Sequence, residues 1–224
     1  MNLGEIKTRI LEAIDDDPDD PVFFSGAQLQ TLVEDATEVL CEATRAVKRS
    51  AILPLRPGMG FIYTPSIAPD IMTLTRIWDH TRSRRLTAVS MADLDEHQER
   101  WQNTNGVPEV WFPVSWDVFG IYPAPSTAGG ALRVDYIGWP RNYLDDEDES
   151  ELPNATQDAL VLYGQYMGIL KKWDTQNAMI ALKALQAHRS VAEARSGISR
   201  MSVRSFQRVQ RPHQDLPTGV NGES

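Results

Sequence analysis

Five arginines, Arg195, Arg200, Arg204, Arg208 and Arg211, follow one another in this chain of 224 residues with no acidic residue among them. A guanidinium stays charged and presents a planar fork of donors, so such a run suits the phosphates, carboxylates or carbonyls of another molecule. Ile198, Met201, Val203, Phe206 and Val209 are interleaved with the arginines and give the same stretch apolar groups for a partner to bury. Two other stretches carry the opposite charge, Asp15-Asp-Asp-Pro-Asp-Asp-Pro21 and Asp145-Asp-Glu-Asp-Glu149. Clustered carboxylates suit a hard cation, but the first cluster is broken by prolines and lacks the central glycine and closing glutamate of a calcium loop. Both read as solvated loops, and no metal is expected.

The remaining reactive side chains do not assemble into a catalytic pattern. His97 stands between acidic neighbours on a short charged helix, and His80 follows Asp79 at a polar strand end close to Arg82, Arg84 and Arg85. Cys41 lies beside Leu40 in a long helix and reads as a buried thiol rather than a nucleophile. Gly58-Met-Gly60 resembles a phosphate loop only superficially, because Pro57 precedes it and no strand-then-helix context aims amides at a phosphate. Nucleophile elbows, Walker loops, HExxH and CxxC patterns are missing from the sequence, so neither an enzyme nor a cofactor is expected. Among the six tryptophans, Trp101, Trp111, Trp116 and Trp139 fall in or beside a β-rich stretch. They fit a sheet core, or anchors of a subunit interface, or base stacking, which the surrounding acidity opposes.

The elements that must carry these groups follow from periodicity. Leu3, Ile6, Ile10 and Ile14 recur at helical spacing. A capping box at Ser25 and Gln28 opens a helix expected over 26–49, with Leu29, Leu32, Val33, Ala36, Leu40, Ala43 and Val47 on one stripe. Residues 54–60 read as a loop. From about 70 to 140 the period falls to two, with strands expected at 72–78, 86–89, 110–114, 116–122 and 132–137, and a capping box at Ser90 and Asp93 before a short helix. The turn at 123–130 is expected to join its flanking strands as an antiparallel hairpin. Two further helices, one opened by Asn154 and one by Asp174 or Thr175, form an expected hairpin. The class is therefore α+β: a helical bundle made of the long N-terminal helix and the C-terminal helical hairpin, with an antiparallel β segment inserted between them. One domain is expected over 1–196 (helical at 1–52 and 152–196, β-rich at 70–140), and 197–224 forms an extended basic arm.

The formal net charge is −9 and the pI about 4.9, so the bulk of the surface repels nucleic acid. Residues 1–150 hold 25 acidic against 13 basic residues, so the basic arm terminates an acidic body. A single cysteine excludes an internal disulfide and points to a reducing compartment. Neither a membrane span nor a signal peptide is evident, so synthesis and retention in a cytoplasm are expected.

The order of these elements, with Val118-Phe-Gly-Ile-Tyr-Pro-Ala-Pro125, Ala131-Leu-Arg-Val-Asp-Tyr136 and Glu151-Leu-Pro-Asn-Ala-Thr-Gln-Asp-Ala-Leu160, resembles the head-to-tail adaptor proteins of tailed bacteriophages over roughly 25–195. The resemblance implies a virion protein, assembled in the host cytoplasm, that forms a homo-oligomeric ring, expected to be a dodecamer. Such a ring joins the portal to a tail or nozzle protein, and double-stranded DNA passes through it without specific binding. In that reading Arg195, Arg200, Arg204, Phe206, Arg208 and Arg211 meet the portal or a neighbouring subunit, and the four tryptophans are candidate subunit contacts. Another connector or tail-completion role, a nucleic-acid-binding module using the arginine-rich arm, and a hydrolase with an unrecognised site remain as alternatives.

Overall fold

Helix α1 (Leu3–Ala13) opens with a capping box, in which the Asn2 side chain accepts from the Glu5 amide and the Glu5 carboxylate accepts from the Asn2 amide. The structure, a computed structural model, describes residues 1–97, 101–172 and 175–195. Helix α2 (Gly26–Thr44) begins with the expected Ser25–Gln28 box. It stops earlier than its apolar stripe suggests, because Arg45 adopts the left-handed conformation, φ 49°, and closes the last turn onto Cys41. The expected helical stretch to residue 52 is thereby corrected: Lys48–Pro54 is strand β1, and the strand-bearing region starts there rather than at 70.

Among the described residues nine more strands follow: β2 (Phe61–Tyr63), β3 (Ile71–Asp79), β4 (Arg84–Arg85), β5 (Thr87–Ala88), β6 (Asn105–Gly106), β7 (Val110–Pro113), β8 (Val118–Tyr122), β9 (Ala124–Pro125) and β10 (Ala131–Gly138). Helix α3 (Met91–His97) lies between β5 and β6, with Ser90 and Asp93 exchanging the expected capping bonds. One sheet has the order β1-β10-β3-β4 and a second the order β2-β8-β7-β5. The expected hairpin across 123–130 is therefore corrected, since β8 and β10 belong to different sheets and the proline-rich link carries the chain from one to the other. The sheets are also not purely antiparallel: β5 runs parallel to β7, and β6 runs parallel to β9. Two-residue pairs of this kind arise where loops lie alongside a strand, a placement that periodicity does not register.

Side chains alternate across a strand, so each sheet has a face to bury. Leu53, Ile77, Leu132 and Val134 from the first sheet meet Ile62, Trp111, Phe119 and Ile121 from the second in one apolar core. On the other face of β7, Phe112 packs with Trp101 and Leu94 of α3 in a smaller cluster. Gly120 makes this possible, because a Cβ there would stand 2.1 Å from the Phe112 ring.

Helix α4 (Asn154–Lys171) starts at Asn154 itself, with Pro153 in the cap position and no side-chain cap, and α5 is Thr175–Arg195. Asn154 as cap is thus corrected: proline lacks a donor and fixes φ, which suits the start of a helix. Helix α4 contacts α1, α2 and α5, and α2 contacts α5. Gly164 and Gly168 sit one turn apart where Ile10 and Ile14 press against α4, at 2.5 and 2.7 Å from a would-be Cβ. The class is α+β.

Candidate functional site

The β7–β8 turn lifts an aromatic side chain clear of the molecule. Val114 and Ser115 both donate to the Val118 carbonyl at 3.0 Å, and this tight closure leaves Trp116 93% exposed at the turn tip. Beneath it lies a cleft of about 570 Å³, lined mainly by Met72 and Leu74 of β3 with Trp111, Val114, Trp116 and Phe119. Its β3 wall is also a sheet edge: β4 pairs only with Trp78 and Asp79, so among the described residues no strand covers β3 from Ile71 to Arg76. Such edges hold ready-made backbone donors and acceptors. The other tryptophans divide differently. Trp101 and Trp111 are buried in the chain's own cores, with the Trp101 Nε1 donating to Asp95 at 2.7 Å and its ring edge-on to Phe112 at 5.1 Å. Trp139 is 39% exposed at the end of β10. Exposed ring surface for a partner is thus offered by Trp116 and Trp139, and scarcely by Trp101 or Trp111.

Arg49 ties the first sheet to the segment that leads into α4. Its Nη1 donates to Asp70 and, at 3.1 Å, to the Trp139 carbonyl, while Nη2 reaches both Glu151 oxygens at 2.7 and 2.6 Å. Burial works against this guanidinium's charge, but Asp70 and Glu151 outweigh it and hold Arg49 protonated more firmly than a free arginine. Tyr136 donates to Asp70 at 3.3 Å, and burial together with that carboxylate pushes its phenol up. Sequence reasoning missed Arg49 because its region was read as helix; as a strand, its inward position beside exposed Lys48 and Ser50 is the available signal.

On the solvent face of the same sheet, Trp78 lies between two guanidinium groups, Arg76 at 5.9 Å and Arg133 at 5.7 Å from the indole centroid. Asp135 holds both, 2.5 Å from Arg76 Nε and 3.0 Å from Arg133 Nε. The alternation of Arg133 and Asp135 in β10 already marks that face in the sequence.

The acidic loops are structural as well as solvated. Asp16 is buried and accepts from the Val22 and Phe23 amides at 3.2 and 3.0 Å, closing the loop between α1 and α2. Burial pushes its carboxyl up, but the amides of Phe23, Val22 and Asp17 and the charge of Lys172 prevail, so Asp16 ionises below the usual aspartate range. In the second loop, the Asp148 and Asp146 carbonyls accept from the Leu3 and Gly4 amides at 3.0 and 2.9 Å, and the Asp146 side chain pairs with Lys7 at 2.5 Å. Negative charge is thereby set at the positive end of α1. Among the described residues no group of His, Cys, Asp and Glu is placed to hold a metal ion, and no helix is long and apolar enough to cross a membrane. Cys41 is buried, donates to the Gly138 carbonyl at 3.4 Å, and burial pushes its thiol up.

Arg200, Arg204, Phe206, Arg208 and Arg211 lie outside the described residues, and Arg195 is the last residue of α5. What the described residues bring together is an apolar cleft, an uncovered sheet edge and the exposed ring of Trp116, while Trp139 stands outside the cleft lining; such apolar surface suits contact with other macromolecules. No curated protein matches the chain. The model of the SU10 adaptor protein family matches residues 1–213, nearly the whole sequence, and the chain belongs to that family of phage adaptor proteins.

Proposed function

We propose that this chain forms a ring of identical subunits, expected to number twelve, seated between the portal and the tail of the virion, with double-stranded DNA passing through its channel. The observation that carries the reading is the family match over residues 1–213. Exposed Trp116 and Trp139 and the cleft beneath Trp116 support it, since a protein that joins others needs apolar area at its surface. The channel lining is acidic or neutral in this proposal. Every lysine or arginine on a phosphate adds counterion-release affinity that would slow the passage of DNA, whereas carboxylates such as those at 145–149 do not.

The arm, residues 197–224, is the proposed portal contact. Arg200, Arg204, Arg208 and Arg211 supply guanidinium forks to acidic groups or carbonyls, Phe206 supplies apolar area, and Arg195 stands at the root. Extended, its 28 residues reach on the order of 90 Å, enough to leave the parent subunit. The test deletes 197–224 and measures portal attachment by the mass of the assembled complex. Loss of attachment by a folded body is the expected result; unchanged attachment at physiological salt removes the arm from the mechanism. A reconstruction of the adaptor bound to its portal, showing something other than a closed ring, would overturn the wider reading.

A further inference from the structure

Two surfaces of this chain carry opposite charge around an apolar centre. On the solvent face of the first sheet the register sets Ile52, Arg133, Trp78 and Arg85 in one row across β1, β10, β3 and β4, with Arg76 paired to Asp135 in the next row. Ile52 is 53% exposed, and the Trp78 indole is clamped between Arg76 and Arg133. Arg84 and its cross-strand partner Asp79 belong to the opposite, core-side face, where Arg84 pairs with Glu109 and Asp79 with Arg82. On this face three arginines, Arg76, Arg85 and Arg133, thus stand against the one carboxylate of Asp135, and Arg85 has no ion pair among the described residues. An apolar centre ringed by arginine has the composition of a protein contact rather than of an idle surface.

The second surface is the outer side of α2, where Asp35, Glu38 and Glu42 are exposed around Val39, itself 42% exposed. The helix contains no basic residue, and Glu34, Glu38 and Glu42 follow one another at intervals of one turn. Like charges at that spacing repel, and among the described residues no ion pair relieves any of them. A basic partner with a small apolar centre would.

We infer that the solvent face of the β1-β10-β3-β4 sheet docks onto the outer face of α2 in a second copy of this chain. The inference rests on the ring reading and names its subunit contact. Two different patches on one chain make a head-to-tail contact, the kind that closes into rings. Charge and apolar centre match on both sides. DNA fits this face less well, because its phosphates would meet the Asp135 carboxylate and would offer nothing for Ile52 to bury against. A basic patch covered by a neighbour is also kept away from DNA in the channel.

The full-length chain carries the test, in two charge reversals at exposed positions. One variant has Arg76→Glu and Arg85→Glu, the other Glu38→Lys and Glu42→Lys, with folding checked by circular dichroism and association by sedimentation at low salt up to about 1 mM. Each variant alone sets like charge against like and is expected to associate at least about tenfold more weakly than the parent chain. An equimolar mixture restores the match at every contact and is expected to recover association. Should a reversal unfold the chain, alanine at the same two positions is expected to weaken association about threefold. Variants that associate as well as the parent chain overturn this inference and leave the ring reading intact, as does a mixture that recovers nothing. A parent chain that stays monomeric at every concentration overturns the inference, and a monomer also on its portal overturns the ring reading. Loss of duplex-DNA binding with intact association in the arginine variant would reassign the face to DNA.

Discussion

In α1 and α2 the buried residues recur every three or four positions and all serve one core, whereas between β1 and β10 two separate cores are built from strands that are far apart in sequence. The helices meet closely because Gly164 and Gly168 leave room for Ile10 and Ile14. The β region instead thickens: Trp111 is buried on one face of β7 and Phe112 on the other, while the turn at the end of that strand throws Trp116 into solvent. Where α1 meets α4 the close approach rests on glycines, while β7 buries a large ring on each of its faces. In the β region that mode sets exposed Trp116 within a few residues of buried Trp111 and Phe112.

The largest expected effect tests whether the β region is a packed body in its own right. Phe112→Ala removes a fully buried ring from a small cluster that cannot easily collapse, and is expected to cost about 3–5 kcal/mol. Ile10→Ala removes a side chain of the helical core and is expected to cost about 2–5 kcal/mol. Denaturant melts followed by both near-UV signal, which reports the tryptophan-rich β region, and far-UV signal, which reports the helices, check this. A Phe112→Ala loss below about 1 kcal/mol would mean that the smaller cluster contributes little to stability.

Next in size are the glycines, which sharpen the contrast between the two modes of packing. Gly120→Ala sets a Cβ against the flat ring of Phe112, which can move only if Trp101 moves too, while Gly164→Ala sets one against the flexible ends of Ile10. Both are overpacking changes, expected to cost about 1–3 kcal/mol, with Gly120 the costlier. The reverse order in thermal unfolding would show that the β region yields more readily than the helical layer.

This contrast also explains what could be read from the residues alone. The stripes of α1 and α2, the boxes at Ser25 and Ser90 and five strand positions were legible, because each depends on neighbours within four residues. Pairing was not. Nothing near Ala131 says that β10 lies between β1 and β3, and the proline-rich link after Tyr122 carries the same turn residues whether it joins partners or separates sheets. The end of α2 was hidden because Ala46 and Val47 continue its stripe while the backbone of Arg45 has already turned. Of the candidate site, the exposed charge of β10 was visible as alternation. Arg49 was not, since its partners Asp70 and Glu151 are 21 and 102 residues away.

A smaller effect separates the two regions by pH. The Asp16 carboxylate closes the loop between the first two helices and ionises below the usual range. A group with a depressed folded pKa contributes stability that is present above its unfolded value and lost as pH falls through the folded one. The chain with Asp16 should therefore lose stability to acid below about pH 4, and Asp16→Asn should flatten that part of the profile while lowering stability at neutral pH. Protection of the Val22 and Phe23 amides against exchange, relative to their intrinsic rates, is expected to fall in acid before protection in the sheets. Simultaneous opening of both would tie the loop to the whole fold.

The smallest expected effect on stability is at Trp116, and it bears most directly on display as opposed to core. At 93% exposure the side chain has almost no burial to lose, so Trp116→Ala is expected to stay within about 0.5 kcal/mol of the parent chain in denaturant melts. Trp111→Ala, on the same strand and turn unit, removes a buried ring and is expected to cost about 3–5 kcal/mol. If Trp116 serves a contact, its removal should leave the fold intact yet weaken assembly, and its fluorescence should shift to the blue when adaptor and portal are mixed, as an indole leaves water. If the exposed ring is an ordinary surface residue, emission and assembly both stay unchanged. A large stability loss at Trp116 would contradict the division itself, because the turn tip would then belong to the core it stands over.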